Sequence, residues 1–304
     1  QAGAAGPVAN ADAAVRFEAV RALLAAEGTE RVTLIAERMD DVDPRVRRLA
    51  ARGLVELAAD AALRPVVEQA AVATLGRASW RGLEQSALVL GRLDHAASIE
   101  ALVGLLRHER PEVQVAAAAA LRWIDEPATA PALRARLQEL MQKKLTDTTT
   151  AAEAQVTADQ GVQLLQALGR FRDAEARPLF LAFVPKDSGF AASARGAAIW
   201  ALGLLNEGTP DDGLARQLAG RLRDLNPLNP EVTEVRRQSA VAIGRMKARG
   251  QVKALETTLK EEASVMETGG ASRWAIMQIT GQTLPPLEPL VSRPMDWFLT
   301  PVED

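Results

Sequence analysis

The chain has 304 residues, 36 basic against 39 acidic, and a formal net charge of −3. That balance gives no general pull toward nucleic acid or anionic lipid. The absence of Cys excludes disulfides, thiolate zinc sites and cysteine nucleophiles, and no apolar run reaches the roughly 18 residues that a membrane-spanning helix needs.

Aromatic residues make up 4%, Tyr is absent, and strand-like alternation is scarce, so the composition reads as all-α. Six basic residues are Lys and the rest Arg. A GC-rich coding sequence explains that bias, as does selection for Arg–carboxylate or Arg–phosphate forks.

Residues 1–11 are rich in Ala, Gly and Pro and are expected to form a flexible arm. The start at Gln1 and the lack of Cys favour an exported or periplasmic protein over a cytoplasmic one. Ala13–Ala26 reads as a lone helix. Helix pairs follow at Thr29–Asp40 with Val46–Ala59, Leu63–Gly76 with Leu83–Leu93, and Ala97–His108 with Glu112–Ile124. The later pairs are Ala130–Leu145 with Ala158–Phe171, Ala174–Val184 with Ala191–Leu205, Asp212–Leu225 with Val232–Lys247, and Val252–Ser264 with Gly270–Ile279. Gly281 stops the last helix. The Pro-rich tail, residues 282–304, is expected to fold back as a cap, with Trp297 and Phe298 as its apolar anchor.

The second helix of the first pair sets the pattern. Val46, Leu49, Ala50, Gly53, Leu54 and Leu57 form one apolar stripe at helical period. Asp43 is a good N-cap and Pro44 fits the first turn. Copies of the stripe place anchors at Val20, Leu54, Leu90, Leu121, Leu168, Leu202, Ile243 and Ile276. The separations are 34, 36, 31, 47, 34, 41 and 33 residues. Periods of this size mean stacked repeats. Gly91, Gly169, Gly203 and Gly244 each follow an anchor. Glycine inside a helix costs about 1 kcal/mol relative to Ala, so its recurrence predicts close packing on a neighbouring helix. Enlarged connections at 146–157, 185–190 and 226–231 fall between the two helices of their own repeats. Such insertions often mark a binding face.

Asp41, Asp43-Pro44, Val46-Arg47, Ala50 and Leu54 resemble the HEAT-repeat family, in particular its short bacterial repeats. So do the endings Leu90-Gly91-Arg92-Leu93, Leu168-Gly169-Arg170-Phe171 and Ile243-Gly244-Arg245-Met246. The resemblance spans residues 12–281. It implies an all-α, right-handed HEAT-like solenoid of about seven antiparallel helix pairs, with the second helices lining the inner face and proteins as partners. Ile279-Thr280-Gly281, followed by prolines and a Trp, is similar to exported bacterial members. The family shares no catalytic residues, so none is transferred.

No sequence motif points to catalysis, a cofactor or a metal. His95 and His108 sit at helix-pair junctions without HExxH spacing. There is no GxSxG, P-loop or GxGxxG, and the adjacent carboxylates Glu261-Glu262, Asp40-Asp41 and Asp211-Asp212 read as solvated or helix-start charges. Arg47, Arg236 and Arg273 either form a basic ladder for an acidic partner or pair with turn carboxylates, Asp41 being the obvious candidate for Arg47. Trp80, in a turn between Arg77 and Arg81, is either an interface anchor or a cover over a helix end. Trp123, Trp200 and Trp274 read as packing residues.

The expectation is a non-catalytic protein–protein interaction scaffold or a subunit of a larger bacterial assembly, with no nucleic-acid partner. The partner-binding candidates are Trp80, Arg81, Phe190, Arg47, Arg236, Arg273, Trp297 and Phe298. The alternatives are a HEAT-like enzyme, resembling a bilin lyase or a DNA glycosylase, or a nucleic-acid-binding module.

Overall fold

The structure is a computed structural model that describes residues 12–76, 79–146, 151–262 and 266–285. Among these residues all regular structure is helical. The expected arm and almost all of the tail, including Trp297 and Phe298, lie outside the described residues.

The chain forms two compact units, one up to Leu205 and one from Asn206. The first holds α1 (Ala13–Ala25), α2 (Glu30–Glu37), α3 (Pro44–Leu57), α4 (Arg64–Leu75), α5 (Trp80–Arg92) and α6 (Ile99–Leu105). It continues with α7 (Pro111–Ile124), α8 (Ala130–Thr146), α9 (Ala151–Arg170), α10 (Arg177–Leu181) and α11 (Ala192–Leu205). The second unit holds α12 (Asp212–Leu222), α13 (Thr233–Arg245), α14 (Val252–Glu261) and α15 (Glu267–Thr280).

In each pair the two helices pack on each other, and the second helices then pack in succession. In the first unit α1, α3, α5, α7, α9 and α11 form one continuous row; in the second, α13 packs on α15. Among the first helices α2 also packs on α4, while the later ones approach one another far less. The sequence explains the difference. All eight anchors are at most 4% exposed, and the glycines beside them remove the side chain where helices meet. A Cβ on Gly91 would fall 2.5 Å from Ala120 Cα, one on Gly169 2.6 Å from Ala201 Cβ, and one on Gly244 2.7 Å from Ala275 Cα. The close packing expected of these three glycines is therefore present.

Asp43 caps α3 as its sequence predicts: its backbone is extended, its carboxylate accepts from the Arg45 amide at 2.8 Å, and Pro44 opens the helix. Several second helices end in a left-handed residue. These are Asp94, Asp125, Arg172 and Lys247, with φ between 52° and 57°. Gly281 does the same after α15 at φ 73°.

Several helix boundaries differ from expectation by three residues or more, and two of them bear on the connections singled out in the sequence. Helix α9 starts at Ala151, seven residues before the expected Ala158, because Ala, Glu and Gln in 151–155 favour helix. Most of the presumed loop at 146–157 is thus helical, while residues 147–150 lie outside the described residues. Helix α5 starts at Trp80 instead of Leu83. Ser79 takes the extended N-cap conformation, and its hydroxyl donates to Asp40 Oδ1. Trp80 is therefore the first residue of a helix and not part of a turn.

Candidate interaction site

Helices α3, α5 and α7 lie side by side in one row and run the same way, so their starts share one edge of the first unit. Pro44 opens α3 and Pro111 opens α7. At the equivalent place α5 has Trp80. Three guanidiniums gather on its indole: Arg110 at 4.5 Å, Arg81 at 4.8 Å and Arg47 at 5.8 Å from the ring. The arginines come from three consecutive repeats. A cation over an indole face is attracted by the ring quadrupole, and that attraction holds these like charges together.

The carboxylates nearby compensate only in part. Glu84 Oε2 faces Arg47 Nε at 3.7 Å. Both atoms are buried and neither makes a hydrogen bond, as is also true of Arg110 Nε. Glu112 reaches the outer nitrogen of Arg110 at 3.2 Å. Arg81 has no ion pair among the described residues. His108 positions Arg110, its Nδ1 accepting from the Arg110 amide at 3.0 Å. His95 Nδ1 is bonded to the Ser98 hydroxyl at 2.7 Å. Both histidines thus serve local turns.

The structure brings Arg47, Trp80 and Arg81 together as candidates and adds Arg110, which sequence reasoning missed. Asp41 is not the partner of Arg47. Its carboxylate is taken by Arg16, through Nε and Nη2 at 2.7 Å each, and both residues are buried. Arg47 reaches instead toward the carbonyls of Val42 at 3.3 Å and Asp41 at 3.5 Å.

The same register recurs elsewhere with a structural role. Arg236 is 6% exposed, donates to the Leu222 carbonyl at 2.8 Å and pairs with Glu262. Arg195, which sequence reasoning passed over, is 4% exposed and donates to the carbonyls of Phe183 and Val184. Gln114 donates to the His108 carbonyl at 2.6 Å. Each of these side chains bonds carbonyl oxygen at or just after the end of the preceding first helix. The signal was available, because all of them stand one residue after the start of the repeated stripe. Arg273 is in a different register. It lies midway along α15 and donates to the Leu284 carbonyl at 2.8 Å. The three arginines therefore form no ladder.

Phe190 stacks on Phe183, with ring centroids 4.1 Å apart, and packs its own loop. Phe190→Ala should cost about 0.5–1.5 kcal/mol beyond the lost apolar area, measured by urea unfolding, and should leave partner capture unchanged.

A second arginine–tryptophan cluster, absent from the sequence-based candidates, lies where α5 and α7 end. Arg92 sits 3.9 Å and Arg122 5.7 Å from the Trp123 ring. Arg122 Nε donates to Gln163 Oε1 at 2.7 Å. Arg170, at the end of α9, forms a two-pronged pair with Asp125 at 2.9 and 2.6 Å. Burial lowers the pKa of Arg122, and the like charges of Arg170 and Arg92 lower it further.

Among the described residues no three potential metal ligands come together, and no helix is long and apolar enough to cross a membrane.

Stacked antiparallel helix pairs, joined through their second helices, define an α-helical repeat protein. Residues 68–140 match HEAT repeats, and the chain carries repeats of that family. Both arginine–tryptophan clusters draw most of their residues from this segment. Comparison with curated protein sequences finds no match. Among solved structures, the complex of CpcE and CpcF of phycocyanin lyase from Nostoc sp. PCC7120 aligns at 19% identity over 82% of this chain and 94% of that chain, with a TM-score of 0.48. An engineered protein aligns at 19% identity over 91% of this chain and 77% of that one, with a TM-score of 0.47. Kap95p, in a structure with RanGDP, aligns at 14% identity over 91% of this chain and 45% of its own, with a TM-score of 0.46. The chain thus spans less than half of Kap95p.

Proposed function

We propose that the chain is a non-catalytic interaction scaffold, a subunit that holds a protein partner at the edge where α3, α5 and α7 begin. The observation that carries this reading is the gathering of Arg47, Arg81 and Arg110 on Trp80. Trp and Arg are the residue types that dominate binding energy at protein interfaces. Here Trp80 stands where the neighbouring repeats have a plain helix-opening Pro. A repeat stack supplies the rigid frame, because each helix pair is braced by its neighbours.

The test compares proteins retained from an extract of the source organism by immobilised wild-type chain, Trp80→Ala and Arg81→Glu. Arg81 is half-buried and has no ion pair among the described residues, so its substitution leaves the core untouched. Thermal unfolding by circular dichroism checks that each variant is folded. A defined set of proteins held by the wild type and lost from both variants supports the reading. Identical sets from all three folded proteins would overturn it.

A further inference from the structure

Helix α5 has an arginine–tryptophan cluster at each end. Trp80 and Arg81 open it, and Arg92 closes it. Arg81 and Arg92 are eleven residues apart, about three turns, so they stand on the same side of the helix. Glu84 and Leu88, both half-buried, lie on that side between them. Glu84 is turned to Arg47, and Leu88 offers an apolar contact midway. At about 1.5 Å per residue the two arginines are roughly 16–17 Å apart along the axis. An extended chain covers that span in about five residues.

The end at Arg92 is short of negative charge. Of Arg92, Arg122 and Arg170, only Arg170 has a carboxylate, that of Asp125. Arg122 is half-buried, and its Nε donates to the neutral amide of Gln163. Arg92 is exposed and makes no ion pair among the described residues. Two guanidiniums of one sign therefore stand on one indole with no counter-charge, in a setting where each disfavours the other. A planar guanidinium accepts a carboxylate through two parallel bonds, and such a group entering beside Trp123 would relieve the repulsion.

We infer that the side of α5 between the two clusters binds an extended acidic segment of a protein partner, with one carboxylate at Arg92 and Arg122 and a second at Arg81 and Arg110. The spacing selects acidic residues separated by about five positions. This inference rests on the scaffold reading for its first anchor. The second anchor, at Arg92 and Arg122, is independent of it.

The probe is a fluorescein-labelled peptide with Glu pairs at both ends and Ser, Gly and Ala between, the pairs set about five residues apart. Its binding to the full chain is followed by fluorescence anisotropy. Controls are the same peptide with Gln for Glu and a version with the Glu pairs adjacent. The acidic peptide should bind, weaken as salt screens the charges, and bind at least tenfold more tightly than either control. Arg122→Gln and Arg92→Gln should each weaken it by about tenfold or more, the size expected for losing a hydrogen bond to a charged group. Equal affinity for the wild type and a folded Arg92→Gln/Arg122→Gln double variant would overturn the inference. So would tighter, equally Arg122-dependent binding of a single-stranded oligonucleotide, which would make phosphate the occupant. Loss of the peptide effect at Arg122, with extract capture still dependent on Trp80, would remove only the second anchor and leave the scaffold intact.

Discussion

Asp41→Ala should destabilise the first unit by about 3–5 kcal/mol, the cost of stranding one member of a buried ion pair. Arg16 and Asp41 are 8% and 7% exposed. The guanidinium bonds both carboxylate oxygens, and Asp41 Oδ1 also accepts from the Asp43 amide at 2.8 Å. One carboxylate therefore ties α1 to the turn that launches α3. Removing it takes the two-pronged carboxylate away from a buried guanidinium.

The pH dependence has a definite sign. Burial pushes the Asp41 carboxyl up, but the bonds from Arg16 and the Asp43 amide outweigh it and hold the group below its usual range. A lowered folded-state pKa means that the stabilisation is complete above the unfolded value, near about 4, and is lost as pH falls through the lower folded value. The gap between wild type and Asp41→Ala should therefore be full at neutral pH and shrink in acid. Urea unfolding across pH measures it, with amide exchange in α1 and α3 as the local readout. A neutral-pH loss below about 1 kcal/mol would put the pair in the class of exposed ion pairs and sink the argument.

Gly91→Ala should also destabilise, by about 1–3 kcal/mol, although Ala is the better helix former. The added Cβ would meet Ala120 Cα at 2.5 Å, and Ala120 Cβ and Trp123 Cε3 at 2.7 and 3.1 Å. The nearest of these atoms is backbone, so two helices must part. Ala120→Gly in the same chain should restore only part of the loss, because the Cα remains. Gly104→Ala is the control. A Cβ there meets nothing within 4 Å, and the substitution should stabilise by roughly 0.4–1 kcal/mol. Paired thermal melts decide: stabilisation at both sites would refute the seam.

The glycines also show why the fold could be read from sequence. A residue that weakens its own helix, repeated beside four of the eight buried anchors, has no local reason to exist, so it announced a neighbour. The Asp43-Pro44 start was equally plain, because capping is a property of adjacent residues. The candidate site was much less legible. Trp80 and Arg81 stood out by type, but Arg110 is thirty residues away in sequence. Only stacking brings it over the indole. The partner of Asp41 was misread for a related reason: Arg47 is near in sequence, while Arg16 is near in space. For Arg236 the sequence left a ladder and a carboxylate pairing both open, because it does not display the carbonyl at the end of the preceding helix that the side chain also reaches. The cluster at Trp123 was missed because each member, taken singly, resembled an ordinary helix residue.

The left-handed turns after the second helices add a different kind of consequence. Asp94, Asp125, Arg172 and Lys247 adopt nearly the same φ with three different residue types. The reversal of the chain is thus written without a fixed spelling. What geometry forbids from changing is a short list of small residues along the seam, while the turns can drift through generations of substitution. A chain built this way can hold its shape under varied wording, and residues 68–140 are the stretch that matches the HEAT-repeat text.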